Sequence, residues 1–93
     1  MITAFVLVDV AVDAVPEVAQ QIVAVEGVVE AYSVTGRFDL IVKVRVRRNE
    51  DLASVVTAGI DKIDGIENSE TLIAFQAYGP DAVDATFSVG EDL

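Results

Sequence analysis

Ile2 to Val10 (ITAFVLVDV) is a β-branched, apolar run of strand length. It is apolar at even and odd positions alike through Phe5 and Leu7, which is the pattern of a strand covered on both faces. After it, Val15, Val18, Ala19, Ile22 and Val25 recur at helical spacing while Glu17, Gln20 and Gln21 face away. Asp13 is positioned to cap this helix, with Pro16 inside its first turn, and Gly27 to stop it. Val28 to Thr35 then reads as a second strand, Gly36 and Arg37 as a tight turn, and Phe38 to Arg47 (FDLIVKVRVR) as a third strand. A short turn pairs those two strands antiparallel. Asn49 is the expected cap of a second helix that buries Leu52, Val56, Ile60 and Ile63 and ends at Gly65. Ile66 to Tyr78 is the expected fourth strand.

A shift of 38 residues overlays Val6 on Val44, Val18 on Val56, Ile22 on Ile60 and Gly27 on Gly65, so a strand–helix–strand unit occurs twice. Two such units in series give an α+β, ferredoxin-like βαββαβ fold, a four-stranded antiparallel sheet with both helices on one face. If even positions of the first and third strands face the helices, Phe5, Leu7 and Ile41, with Ile73 and Phe75, lie on the face without helices. That apolar surface predicts a homodimer packed sheet to sheet, a dimeric α/β barrel. Lys43, Arg45 and Arg47 alternate on the same face, and could line a wet rim, pair with a partner's acids or touch nucleic acid.

The length of 93 residues makes one domain, expected over residues 1–78 and followed by an acidic tail, 79–93. Ala82, Val83 and Phe87 are at near-helical spacing in that tail, a short helix for a neighbouring subunit. The formal net charge is −10, which opposes approach to phosphate backbones and anionic lipid. Direct nucleic-acid and membrane binding are therefore not expected. No apolar run reaches the ~20 residues of a membrane span, and the N-terminus lacks a signal-peptide pattern, so a cytoplasmic location is the default.

The chain has no histidine and no cysteine. That removes the commonest general base, thiol nucleophile and transition-metal ligands, leaving no expected catalytic residue, metal or cofactor. Asp61 with Asp64 and Glu67 with Glu70 are spaced three apart, but nothing around them resembles a calcium loop, and solvated acids are the simpler reading.

Two segments stand out. Val34 to Leu40 (VTGRFDL) places a glycine turn, an aromatic and a carboxylate where a strand begins; Ser69 and Thr71 put two hydroxyls on one face of the fourth strand. Taken alone, each has an ordinary structural reading, with Asp39 bonding the turn backbone and the hydroxyls exposed.

Together with the order of elements, VTGRFDLIVKVRV and IDGIENSETLIAF resemble the effector-binding (RAM) domain of the leucine-responsive regulator and asparagine-regulator family of transcription factors. Gly36, Phe38, Asp39, Gly65, Ile66, Ser69 and Thr71 meet that family's pattern over residues 1 to about 78. The resemblance implies face-to-face dimers, a higher ring such as an octamer, and a small amino acid held between dimers. In that scheme the effector's carboxylate takes backbone N–H groups around Gly36, Arg37 and Phe38. Its ammonium or side chain reaches Asp39, Ser69 and Thr71. Arg37 could clamp a carboxylate or point to solvent. Family members carry a DNA-binding helix-turn-helix domain ahead of this one, and the first strand here begins at Ile2. The expected protein is a non-catalytic, stand-alone amino-acid sensor that oligomerises and signals by contact, including with a full-length regulator of the family. The competing readings are an ACT-like regulatory domain, a small dimeric α/β-barrel oxygenase or ligand-carrying protein, and an assembly module without a ligand.

Overall fold

A computed structural model of the chain describes residues 1–80. Strand β1 is Ile2–Val10, helix α1 Val15–Val23, strand β2 Val28–Ser33, strand β3 Leu40–Val46, helix α2 Asn49–Ala53 and strand β4 Ile66–Ile73. Past α2 the helical path continues as a π-helical stretch, Ser54–Gly59, and a 3₁₀ turn, Ile60–Lys62. The sheet has the order β2-β3-β1-β4 with every neighbouring pair antiparallel, the ferredoxin-like arrangement expected from the repeat. The acidic extension over 81–93, with the helix expected around Ala82, Val83 and Phe87, lies outside the described residues. Among the described residues no helix is long and apolar enough to cross a membrane.

The core follows the parity of the strands. Ala4, Val6, Val8 and Val10 of β1 and Leu40, Val42, Val44 and Val46 of β3 are buried beneath the helical layer, together with Val18, Ile22, Leu52, Val55 and Ile60. The odd positions of both strands are only half-buried, because no helix covers their face.

Local endings differ from expectation. Asp13 does not cap α1; Ala14 occupies that position without a side-chain bond, and Asp13 sits one residue earlier at φ 67°. Aspartate tolerates this left-handed conformation better than most residues, so the turn uses its backbone rather than its carboxylate. Asn49 is likewise inside α2, and Arg48 stands at the cap in extended conformation. Helix α1 stops at Ala24, not Gly27. Gly27, at φ 102°, instead lets the chain enter β2 against the second helical segment, where a Cβ would lie 2.7 Å from Cγ2 of Val55.

The π-helical stretch changes which residues of the second helix are inside. Its wider turn swings Val55 into the core and leaves Val56 only partly buried, in place of the regular Leu52–Val56–Ile60 stripe. Strand β4 ends at Ile73 rather than Tyr78, and only the Ala74 N–H, donating to the Thr3 carbonyl at 2.8 Å, prolongs the pairing. Leu72 pairs with Phe5 and shares its open face, whereas Ile73 pairs with Ala4 and turns to the helix side. The expectation that Ile73 lies on the open face is therefore wrong by one residue.

Candidate functional site

The β2–β3 connection is a six-residue loop, wider than the tight turn expected at Gly36 and Arg37. Its base is closed by the Val34 N–H donating to the Asp39 carbonyl at 3.1 Å, and the Asp39 N–H ties it to the Val8 carbonyl of β1 at 2.9 Å. At the tip, Gly36 takes φ 110°, a conformation that strains any residue with a Cβ. No atom lies within 4 Å of the place a Cβ would occupy, so the backbone here is open to close approach. The N–H groups of Gly36, Arg37 and Phe38 donate to no backbone carbonyl among the described residues. A loop of unpaired amides of this kind favours an anion.

Asp39 closes the other side of the loop. Its Oδ2 accepts the Val10 N–H at 2.8 Å, at the end of β1 where the pairing with β4 shifts register between Asp9 and Val10. One carboxylate oxygen thus holds the strand end. Arg37 is 81% exposed; its guanidinium carbon stands 4.9 Å from the centre of the Phe38 ring, and Nη2 lies 3.9 Å from Oε1 of Glu70. The ring and the carboxylate give the arginine a resting place above the loop.

The two hydroxyls point elsewhere. Ser69 pairs with Val8 and Thr71 with Val6, so both share the helix-facing side of the sheet with those buried valines. Ser69 Oγ donates to Oδ1 of Asp61 at 2.8 Å. Glu70, between them, faces the open side opposite Leu7, where Arg37 meets it. Edge strand β4 therefore separates Ser69 and Thr71 from the group of Arg37, Phe38 and Glu70. Glu70 and Asp61 are neighbours of the site that the sequence pattern had suggested only as solvated acids. Period-two alternation carries the Glu70 signal, since a residue between two hydroxyls must face away from them. Among the described residues no cluster of three or more acidic side chains is placed to hold a metal ion.

Among the described residues, two of the surface hollows are prominent, and none of the six residues expected at the site lines either. One, about 650 Å³, lies between Gly27, Arg45, Arg47, Asp51, Val55 and Gly59. The other, about 470 Å³, lies on the open face among Thr3, Phe5, Lys43, Arg45, Phe75 and Tyr78. Both are at the end of the sheet away from the β2–β3 loop.

An open-faced ferredoxin-like domain with an exposed, amide-lined loop is the class of protein that these features define. A family model for the Lrp/AsnC ligand binding domain matches residues 3–83, and the chain belongs to that family. It is 35% identical over 75 residues to the HTH-type transcriptional regulator FL11 of Pyrococcus abyssi, covering 81% of this chain and 49% of that protein. The chain thus spans about half the length of the curated relatives it matches. Among solved structures, TTHA0845 of Thermus thermophilus is 46% identical with a TM-score of 0.80, covering 85% of this chain and 99% of that one. AsnC of E. coli is 28% identical with a TM-score of 0.77, covering 82% and 52%. The regulator NMB0573 of Neisseria meningitidis, solved as a complex with L-methionine, shares the fold at 16% identity with a TM-score of 0.75, covering 84% and 52%.

Proposed function

We propose that this domain is a non-catalytic, cytoplasmic sensor of a small amino acid, bound where subunits meet and read out through a change in assembly. The observation that carries this reading is the loop itself. Three amides without backbone acceptors and an open glycine stand beside the carboxylate of Asp39, so both charged ends of an amino acid find an opposite partner. The ligand carboxylate takes the N–H groups of Gly36, Arg37 and Phe38, and its ammonium takes the free oxygen of Asp39. Ser69 and Thr71, on the far side of β4, serve a ligand bridging that edge to a second dimer. These residues line neither of the two hollows described above, and in this reading the site is completed by a homodimer and by the ring of dimers, such as an octamer, that it builds. The L-methionine complex of a protein with the same fold fits this reading. Differential affinity for two assemblies turns binding into a signal, and co-assembly with a full-length regulator of the family passes it on.

The oxygenase or carrier reading requires a cavity between helices and sheet. That layer is filled: Ala4, Val6, Val8, Ile22, Val42 and Val44 are each fully buried there. The two hollows described above lie on the surface instead.

The test is a thermal-shift screen against the twenty amino acids, repeated on two Asp39 variants. A selective shift with one or two amino acids is expected; a ligand at about 100 times its dissociation constant adds about 2.7 kcal/mol. Asp39→Asn keeps an acceptor for the Val10 N–H but loses the charge, so it should melt near wild type and lose the shift. Asp39→Ala also orphans that N–H and should cost about 1–3 kcal/mol without ligand. A cooperative melt that no amino acid moves, or a full response in Asp39→Asn, would overturn the sensor reading.

A further inference from the structure

The β2–β3 loop is fastened to β1 through Asp39, whose N–H reaches the Val8 carbonyl and whose Oδ2 takes the Val10 N–H. Strand β4 lies beyond β1 in the sheet order β2-β3-β1-β4. One contact nonetheless crosses β1 to join the loop to that edge strand. Arg37 reaches Glu70, which stands opposite Leu7 on the open face. Among the described residues this is the only hydrogen bond or ion pair between the loop and β4.

The contact is loose. Nη2 stands 3.9 Å from Oε1, beyond the ~2.7–3.2 Å of a direct hydrogen bond, and the two side chains are 81% and 51% exposed. An ion pair this open to water contributes little to stability. The guanidinium also lies over the ring of Phe38, the next residue in the chain, at 4.9 Å from its centre. That ring belongs to the loop and travels with it, whereas Glu70 belongs to a different strand. Arg37 therefore has one permanent partner and one that can be exchanged.

The chemistry of the loop says what the exchange is for. The N–H groups of Gly36, Arg37 and Phe38 donate to no backbone carbonyl, and the guanidinium is carried by the middle residue of the three. An anion seated on those amides is within reach of that side chain. A planar guanidinium matches a carboxylate with two parallel hydrogen bonds, a pairing stronger than the long contact to Glu70.

We propose that Arg37 is a ligand-binding side chain held in reserve by Glu70. When an amino acid seats its carboxylate on the loop amides, the guanidinium leaves Glu70, keeps its place on Phe38 and closes over the incoming carboxylate. Asp39 stays with the ammonium. The inference rests on the sensor reading and adds the residue that clamps the effector and the residue that competes for the clamp. It also gives binding a mechanical consequence, because filling the site releases the loop from the strand that carries Ser69 and Thr71.

Isothermal titration of the twenty free amino acids into wild type, Arg37→Gln, Arg37→Lys, Glu70→Gln and the double variant R37Q/E70Q tests this. Both side chains are exposed, so none of the substitutions should unfold the domain. Arg37→Gln should weaken binding by about tenfold or more, the scale of a hydrogen bond to a charged group. Arg37→Lys, which keeps the charge without the fork, should recover only part of that loss. Glu70→Gln should act in the opposite sense and tighten binding by about twofold to fivefold, because it removes the competitor. With Arg37→Gln already in place, the same change should move the affinity by less than about 1.5-fold. Carboxamides of the same amino acids lack the anionic end and should gain nothing from Arg37. An affinity that Glu70→Gln leaves unchanged or lowers, or a gain that persists without Arg37, would overturn the exchange and leave the sensor reading standing. Binding of no amino acid to the wild-type chain would overturn both.

Discussion

A Leu7→Glu chain is expected to sediment as a folded monomer. Leu7 lies in the middle of the open face, paired with Ile41 on one side and Glu70 on the other. The even-numbered core beneath the helices does not use it, so the substitution should change protomer stability by less than about 1 kcal/mol. In a sheet-to-sheet dimer the new carboxylate would be enclosed among Phe5, Ile41 and Leu72 without a cation to meet it. An uncompensated buried charge costs several kcal/mol, and two-fold symmetry imposes it twice, so dimer affinity should fall by more than about 100-fold. Analytical ultracentrifugation reads the assembly and a circular-dichroism melt reads the fold. A Leu7→Glu dimer of wild-type strength would place the interface elsewhere.

Replacing Ile22 with alanine carries the largest expected cost to the fold itself. Ile22 is fully buried on α1, at the centre of the layer that joins helix to sheet. Removing its side chain leaves a cavity that packed valines cannot close, for a loss of about 2–5 kcal/mol. In a domain of this size each kcal/mol moves the melting temperature by about 4–8 °C, so a fall of at least about 8 °C is expected at equal protein concentration. Val12→Ala is the control, because Val12 is 90% exposed and should shift stability by no more than about 0.5 kcal/mol. Similar melts for the two variants would refute the packing described for α1.

Strand parity and the 38-residue repeat made the fold legible, because each is a direct record of which side chains must leave water. Local endings were less so. Asp13 and Asn49 have the chemistry of helix caps, yet Ala14 and Arg48 stand there, since entry from a strand fixes the backbone before a side chain can choose. The π-helical stretch was invisible because periodicity presumes a regular turn. Its second signal, Gly27 and Gly59 opposite Val55 and Val25, exists only in three dimensions. For the site, the glycine turn at Gly36 and Arg37 was readable from the motif, whereas Phe38 and Asp39, expected to open the third strand, belong to the loop. The side on which Ser69 and Thr71 stand was not readable, because it depends on their pairing with Val8 and Val6, and a slip of one residue reverses it. Ile73, expected on the open face, pairs with Ala4 on the helix side for the same reason.

The alternation that buries Val6 and Val42 while presenting Phe5, Leu7 and Arg45 writes two messages in one strand. Even letters specify how the chain folds, and odd letters are left free of that task. Gene duplicates of such a domain can diverge in companionship by editing odd letters alone, with no penalty to their interiors.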